Sequence, residues 1–295
     1  MKKRDLSFMK PLIVIAFVIA GAFYSNYSGE NTKNEILESS TYIADSDFSI
    51  HYIDVDQADS ILIVSRDESM LIDAGNNKDG ETVVNYIESL GINKLDYVVG
   101  THPHADHIGG LDDVINSFNI GKILMPRVQN NTKTFEDVLD AISNKGLKVT
   151  APKVGDTFNL GDATFTILSI ENDTDDFNLA SIVLRVDYGE CSYLFCGDAE
   201  TPNEETMLKS GQNLKADIIK LGHHGSSTSS SEEFIEAVNP SVAIICCGKD
   251  NDYGHPHKET IKTLNNFDIK YYRTDLNGTI IVTSDGNDST IYVSK

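Results

Sequence analysis

The chain has 295 residues, 40% of them hydrophobic, which is enough to bury a core in one large domain or two small ones. With 24 basic and 45 acidic residues, its formal charge is -21. That excess argues against a sequence-independent grip on nucleic acid, for which there is no strong basic patch, and it weighs against polyanionic substrates generally.

Lys2, Lys3 and Arg4 precede an apolar run from Leu12 to Phe23. At about a dozen residues, the run is shorter than the ~20 that span a bilayer. Basic residues, an apolar stretch and then Ala20-Gly21-Ala22 fit a signal peptide. Residues 1–23 are expected to be a signal peptide or an N-terminal membrane anchor. The protein is then exported, either secreted or held on the outer face of the cytoplasmic membrane, with membrane contact only through this segment. Residues 24–47 are polar and rich in Asn, Ser and Glu, as in a linker. Residues 48–295 carry no further linker and read as one domain.

The domain opens with three short strand patterns, Phe48 to Val55, Ile61 to Val64 and Met70 to Ile72. Brief polar turns between them imply antiparallel pairing. Asp73-Ala74-Gly75 follows, with Gly75 free to bend the chain sharply where Asp73 emerges. The period then becomes helical over Thr82 to Leu90, with Gly91 as a C-cap. Leu95 to Val99 reads as a strand, Ile108 to Phe118 as a helix, Ile123 to Met125 as a strand and Phe135 to Ser143 as a helix. Two hairpins follow, Thr157-Phe158 with Ala163 to Ile170, and Ser181 to Val186 with Ser192 to Cys196. Next come a helix (Asn203 to Lys209), a strand (Ala216 to Leu221), a helix (Glu232 to Val238), a strand (Val242 to Cys246) and a helix (His257 to Asn266). Strands at Ile269 to Tyr272, Thr279 to Val282 and Thr290 to Val293 close the chain. Strands in both halves with helices between them predict an α/β fold, a four-layer αββα sandwich. Cys191, Cys196, Cys246 and Cys247 form no spaced pair and read as buried small hydrophobes rather than a disulfide framework.

Seven of the eight histidines lie in three short loops that follow strand patterns. The densest is Thr101-His102-Pro103-His104-Ala105-Asp106-His107-Ile108-Gly109-Gly110. Three imidazoles and a carboxylate within six residues are costly to bury without a partner, and together they suit Zn, Mn or Fe better than Ca or Mg. The others are His223-His224-Gly225-Ser226 and Gly254-His255-Pro256-His257. Cys196-Gly197-Asp198 adds a carboxylate after an apolar strand.

In this order, and together with Asp54-Val55-Asp56-Gln57-Ala58-Asp59-Ser60, Leu71-Ile72-Asp73-Ala74-Gly75, Asn178 to Leu184 and Tyr253-Gly254-His255-Pro256, these segments resemble the metallo-β-lactamase fold superfamily, whose signature is H-x-H-x-D-H. The likeness runs from about Ile50 to Val282 and is to the hydrolase domain of the competence protein ComEC and its free-standing exported relatives. It implies two divalent metal ions, zinc in preference to manganese. His102 and His104 would hold one ion, Asp106 and His107 the other, and Asp198 would bridge them. One of His223 and His224 would complete the second site, with His223 favoured as the nearer to the strand end. Asp73 would brace the His loop. Asp106 and His255 are the expected catalytic residues, His255 as oxyanion stabiliser or general acid. Ser226 and His257 are expected near the substrate or behind the ligands.

Two departures stand out. Asn178 occupies a segment where many members have a histidine, which leaves the first metal more open, and Asp56 and Ala58 replace the glycines of D-V-G-Q-G-D. The resemblance implies a hydrolase in which two cations about 3.5–4 Å apart lower the pKa of a water and the resulting metal-bound hydroxide attacks a phosphodiester. The substrate would be a small-molecule or polymeric phosphodiester, such as extracellular DNA or a cell-envelope diester. The alternatives are a hydrolase of esters, lactones or lactams, and a non-catalytic binding module stabilised by metal.

Overall fold

A computed structural model describes residues 46–295; the leader or anchor expected at 1–23, and the linker up to residue 45, lie outside it. Strands β1 (Phe48–Tyr52), β2 (Ser60–Ser65) and β3 (Glu68–Ala74) pair antiparallel as their short polar turns require. They continue in parallel through β4 (Lys94–Val99), β5 (Asn119–Leu124) and β6 (Val149–Thr150). The last two strands of the chain, β14 (Ile280–Ser284) and β15 (Ser289–Val293), return to the free edge of β1 and give an eight-stranded sheet. The second sheet has seven strands and the same plan. In it β7 (Thr157–Leu160), β8 (Ala163–Ser169), β9 (Val183–Tyr188) and β10 (Cys191–Phe195) are antiparallel. β11 (Ile218–Lys220), β12 (Val242–Ile245) and β13 (Lys270–Arg273) then extend β10 in parallel.

Three apolar layers make this a four-layer αββα sandwich. Phe48, Ile50, Ile63, Phe165, Leu184 and Phe195 meet between the sheets. On the outer face of the first sheet, Leu62, Leu71 and Val98 pack on Val83 and Ile87 of helix α1 (Gly80–Ser89) and on Leu111, Val114 and Val138. Ile219, Ala243 and Ile245 do the same on the second sheet, against Met207, Phe234, Ile235 and Leu264. Strict alternation sends neighbouring residues to opposite faces. Accordingly Cys191 and Cys246 face the inter-sheet core, Cys196 and Cys247 the helical layer, and all four are buried free thiols.

The helix expected over Ile108 to Phe118 is broken, and this is a correction. A single turn, α2 (Ala105–Ile108), is followed by α3 (Leu111–Ser117). A Cβ on Gly109 would lie 2.3 Å from the Asn77 backbone nitrogen and one on Gly110 2.5 Å from the Ala74 carbonyl, so the two glycines let the His loop rest directly on the turn after β3. Asp56 adopts φ +64°, the left-handed backbone that glycine reaches without cost and that aspartate tolerates, so this glycine-free loop still makes a sharp turn. Among the described residues, no helix is long and apolar enough to cross a membrane.

Candidate metal centre

The ligand-type residues emerge where parallel strands of both sheets end, at the mouth of a cleft between them. Asp73, at the end of β3, is buried and sits at φ +58°. Its Oδ1 accepts the Thr101 backbone N–H (2.8 Å), and its Oδ2 accepts the Thr101 hydroxyl (2.7 Å) and His107 Nδ1–H (2.8 Å). That fixes the His107 tautomer and turns Nε2 toward Asp198 Oδ1, 3.2 Å away. Because the one hydrogen of Thr101 Oγ1 goes to Asp73, this oxygen can only accept from His102 Nδ1 (3.2 Å). His102 Nε2 therefore presents its lone pair, 3.0 Å from His104 Nδ1 and 3.9 Å from Asp198 Oδ2.

The second half of the chain supplies the opposite wall. Gly197, at φ +53°, turns the chain after β10, and the Asp198 backbone N–H is held by Ser181 Oγ at 3.0 Å. His223 and His224 follow β11 in a single turn, both left-handed (φ +49° and +52°). Two consecutive non-glycine residues in this region are strained, and such strain gathers at functional sites. The reversal separates the two rings. His224 Nδ1–H donates to the Cys246 carbonyl (2.9 Å), and Nε2 lies 3.3 Å from Asp106 Oδ2 and 3.6 Å from Asp198 Oδ2. His223 turns its Nδ1 to Glu200 (3.0 Å), with Nε2 no nearer than 3.9 Å to Asp198. The turn, rather than distance along the chain from the strand end, aims each ring.

Among the described residues, four overlapping groups have donor atoms within 4.8 Å of one another, and two of them adjoin through His107: His102, His107 and Asp198 in the first, and Asp106, His107 and His224 in the second. His104 joins the first through its contact with His102. The donors fit a cation. His107 Nε2, His224 Nε2 and Asp198 Oδ1 are buried with no hydrogen-bond partner, and they face one another. Buried polar groups are rarely left so.

The charges agree. Burial and the neighbouring His107 push His102 well below its ordinary value, so it is neutral and able to ligate. Burial also disfavours a charge on His224, yet Asp198, Asp59 and Asp106 outweigh it and raise its pKa to about 10. His107 is likewise raised against burial, by Asp198 and Asp73. Protons on these two rings do for the carboxylates what a cation would do.

Three further residues support the site, two beneath it and one at its rim. Lys220, in the middle of the second sheet, is fully buried; its ammonium pairs with Asp59 and donates to the Gly197 carbonyl (3.1 Å). Asp59 Oδ1 lies 3.3 Å from His224 Nδ1. A lone cation in Ile218-Ile219-Lys220-Leu221 was the available signal. Gln57 is the third. Its Oε1 accepts the Gly248 N–H (2.9 Å), which leaves Nε2 to donate to His255 Nδ1 (3.3 Å). His255 then offers Nε2–H at the cleft that it lines with Gln57, His104, Asp106, Asp198 and His224. Burial and the neighbouring His224 and His223 lower its pKa to about 4, so it is a neutral donor near pH 7.

The remaining candidates sit outside the groups. Asn178 donates to Glu200 Oε1 (3.3 Å), and its own Oδ1 is buried without a partner. Ser226 spends its hydroxyl on Thr228 (3.1 Å). His257 accepts the Ser227 N–H (2.9 Å) and donates to the Tyr253 carbonyl (3.1 Å), which makes it a staple behind His255.

The family model described as "Metallo-beta-lactamase superfamily" matches residues 53–249. ComE operon protein 3 of Bacillus subtilis (strain 168) is 33% identical over 254 residues, covering 80% of this chain and 33% of the relative. Competence protein ComA of Neisseria gonorrhoeae is 31% identical over 240 residues, covering 81% and 32%. The chain thus spans about a third of the length of these relatives. The crystal structure of the metallo-beta-lactamase fold protein YhfI from Bacillus subtilis superposes with a TM-score of 0.56 at 14% identity, over 80% of this chain and 100% of that one. This chain belongs to the metallo-beta-lactamase superfamily.

Proposed function

We propose that this member of the metallo-beta-lactamase superfamily is a hydrolase that cleaves phosphodiesters with two divalent cations, zinc in preference to manganese. The observation that carries the reading is the set of buried, unpartnered donors on His107, His224 and Asp198, which fall in overlapping His/Asp groups at an open cleft. The preference for a phosphodiester over an ester, lactone or lactam is supported by the resemblance to ComEC-type hydrolase domains. The basic and apolar residues of 1–23 support export.

In this reading His102, His104 and Asp198 hold one cation, and Asp106, His107, His224 and Asp198 the other. Bound there, the cations supply Lewis acidity and an activated water. The chain's own residues do the rest. Asp73 and the Cys246 carbonyl lock the tautomers of His107 and His224, so the ligating nitrogens need no rearrangement. Lys220 balances Asp59 below the ligands and anchors the carbonyl just before Asp198. His255, neutral and oriented by Gln57, donates Nε2–H to a phosphoryl oxygen as charge builds on it; this favours oxyanion stabiliser over general acid.

The test is an activity screen of the metal-loaded full chain on bis-p-nitrophenyl phosphate, a phosphomonoester, p-nitrophenyl acetate, a lactone and a chromogenic lactam. Cleavage of the diester with loss on chelation is expected. Inertness on diesters with turnover of esters, lactones or lactams overturns the proposal, and inertness on all of them leaves a binding module.

A further inference from the structure

We propose that Tyr253 is a stacking platform for a planar ring of the substrate, and that the site therefore takes nucleotide-type diesters, with phosphate over the metal ligands and base on the tyrosine. This rests on the phosphodiesterase reading above. Among the described residues, Tyr253 is the most exposed large apolar side chain, at 68%. It also lines the same cleft of about 260 Å³ as Asp106, Asp198 and His255. One face of its ring is backed by His255, with centroids 5.6 Å apart and planes 22° from parallel, and the rest is open to solvent.

The loop that carries the ring is held in place. Asn251 Nδ2 donates to the carbonyls of Gly248 (2.9 Å) and His255 (2.6 Å), and Asn251 Oδ1 accepts the His255 N–H (2.9 Å). His257 pins the Tyr253 carbonyl from behind (3.1 Å). A mostly exposed aromatic face beside a phosphate-reactive centre gains little from folding; it gains from a ligand ring laid upon it. Every nucleobase offers such a face, and stacking of this kind tolerates any sequence.

The geometry also selects among planar and cationic ligands. A quaternary ammonium is held best by several aromatic walls, whereas here one face is blocked and one is free. The charge of -21, with no basic track for successive phosphates, favours one or a few nucleotides over a long duplex.

The experiment measures binding by calorimetry to the metal-loaded full chain, with deoxyadenosine 5′-monophosphate and deoxyribose 5-phosphate as probes, the second carrying a hydroxyl at C1 in place of the base. The parent is expected to bind the nucleotide about ten- to a hundredfold more tightly. Tyr253→Ala should bring the two within about twofold, and Tyr253→Phe, which keeps the ring, should retain the preference. Equal affinities in the parent overturn the proposal, as does a base preference that survives Tyr253→Ala. Tighter binding of phosphocholine than of the nucleotide, lost in Tyr253→Ala, overturns it in favour of a cationic ligand. The underlying reading fails separately, if the metal-loaded parent leaves bis-p-nitrophenyl phosphate uncleaved.

Discussion

Lys220→Met is the most informative single perturbation, because it removes charge without removing volume. The ammonium is fully buried, and it pairs with Asp59, which is 1% exposed. Without it, the Asp59 carboxylate keeps only His224 Nδ1 at 3.3 Å and His107 Nδ1 at 3.8 Å, and both nitrogens are already committed, to Cys246 and Asp73. Breaking a buried pair by deleting one partner costs about 3–5 kcal/mol. For a fold of this size, each kcal/mol moves Tm by about 2–4 °C, so a fall of about 6–20 °C is expected in circular-dichroism melts with chelator present. The Gly197 carbonyl also loses its donor, which frees the turn that carries Asp198, so metal affinity should fall as well. The double variant Lys220→Met/Asp59→Asn should recover most of the stability, since removing both partners leaves no uncompensated charge. A single-variant shift under about 2 °C, or a double variant no better than the single, would refute the reasoning.

Other consequences follow from the same geometry. In the metal-free protein His224 keeps its proton up to about pH 10 and His107 is also raised, so a cation must displace protons to bind. Metal affinity should therefore tighten as pH rises from 6.5 to 8.5 in chelator-competition titrations, and a flat profile would contradict the tautomer scheme. For the same reason, the stability these two groups give the metal-free fold is complete below about pH 6.5 and is lost as pH rises through the raised values, toward about 10 for His224. His255→Ala should lower kcat by about 10²–10³-fold with metal content unchanged, as loss of one oxyanion donor does; loss of a metal equivalent would make His255 a ligand instead. Asn178→His replaces a side chain whose Oδ1 has no partner and should tighten the first metal; unchanged affinity places Asn178 outside that site.

Much of the architecture was legible because it follows from periodicity. Ile61 to Val64 is a continuous apolar run, as a strand covered on both faces must be, and Glu232–Val238 carries its apolar residues on one helical face. The loops rich in histidine announced a polar cluster because ligand types so dense have few other uses. What stayed hidden depends on backbone direction or on distant partners. The left-handed turn that swings His224 inward and His223 outward leaves no mark on the two-letter string His-His. The break at Gly109-Gly110 is set by the approach of the Asn76–Asn77 backbone, which lies in another segment. Asp59 and Lys220 stand 161 residues apart and meet only when the two sheets close. Gln57 was readable as part of a loop, but not as the group that orients His255, since Gly248 fixes its amide from the far half of the chain.

The claim on which the rest depends is that two cations share Asp198. Metal content per chain, measured by inductively coupled plasma mass spectrometry after loading and desalting, tests it most directly. The parent should hold two equivalents, Asp198→Ala should lose both or fall well below one, and His102→Ala should keep the second. A parent that holds no metal, or an Asp198→Ala variant that keeps two equivalents, would contradict the account.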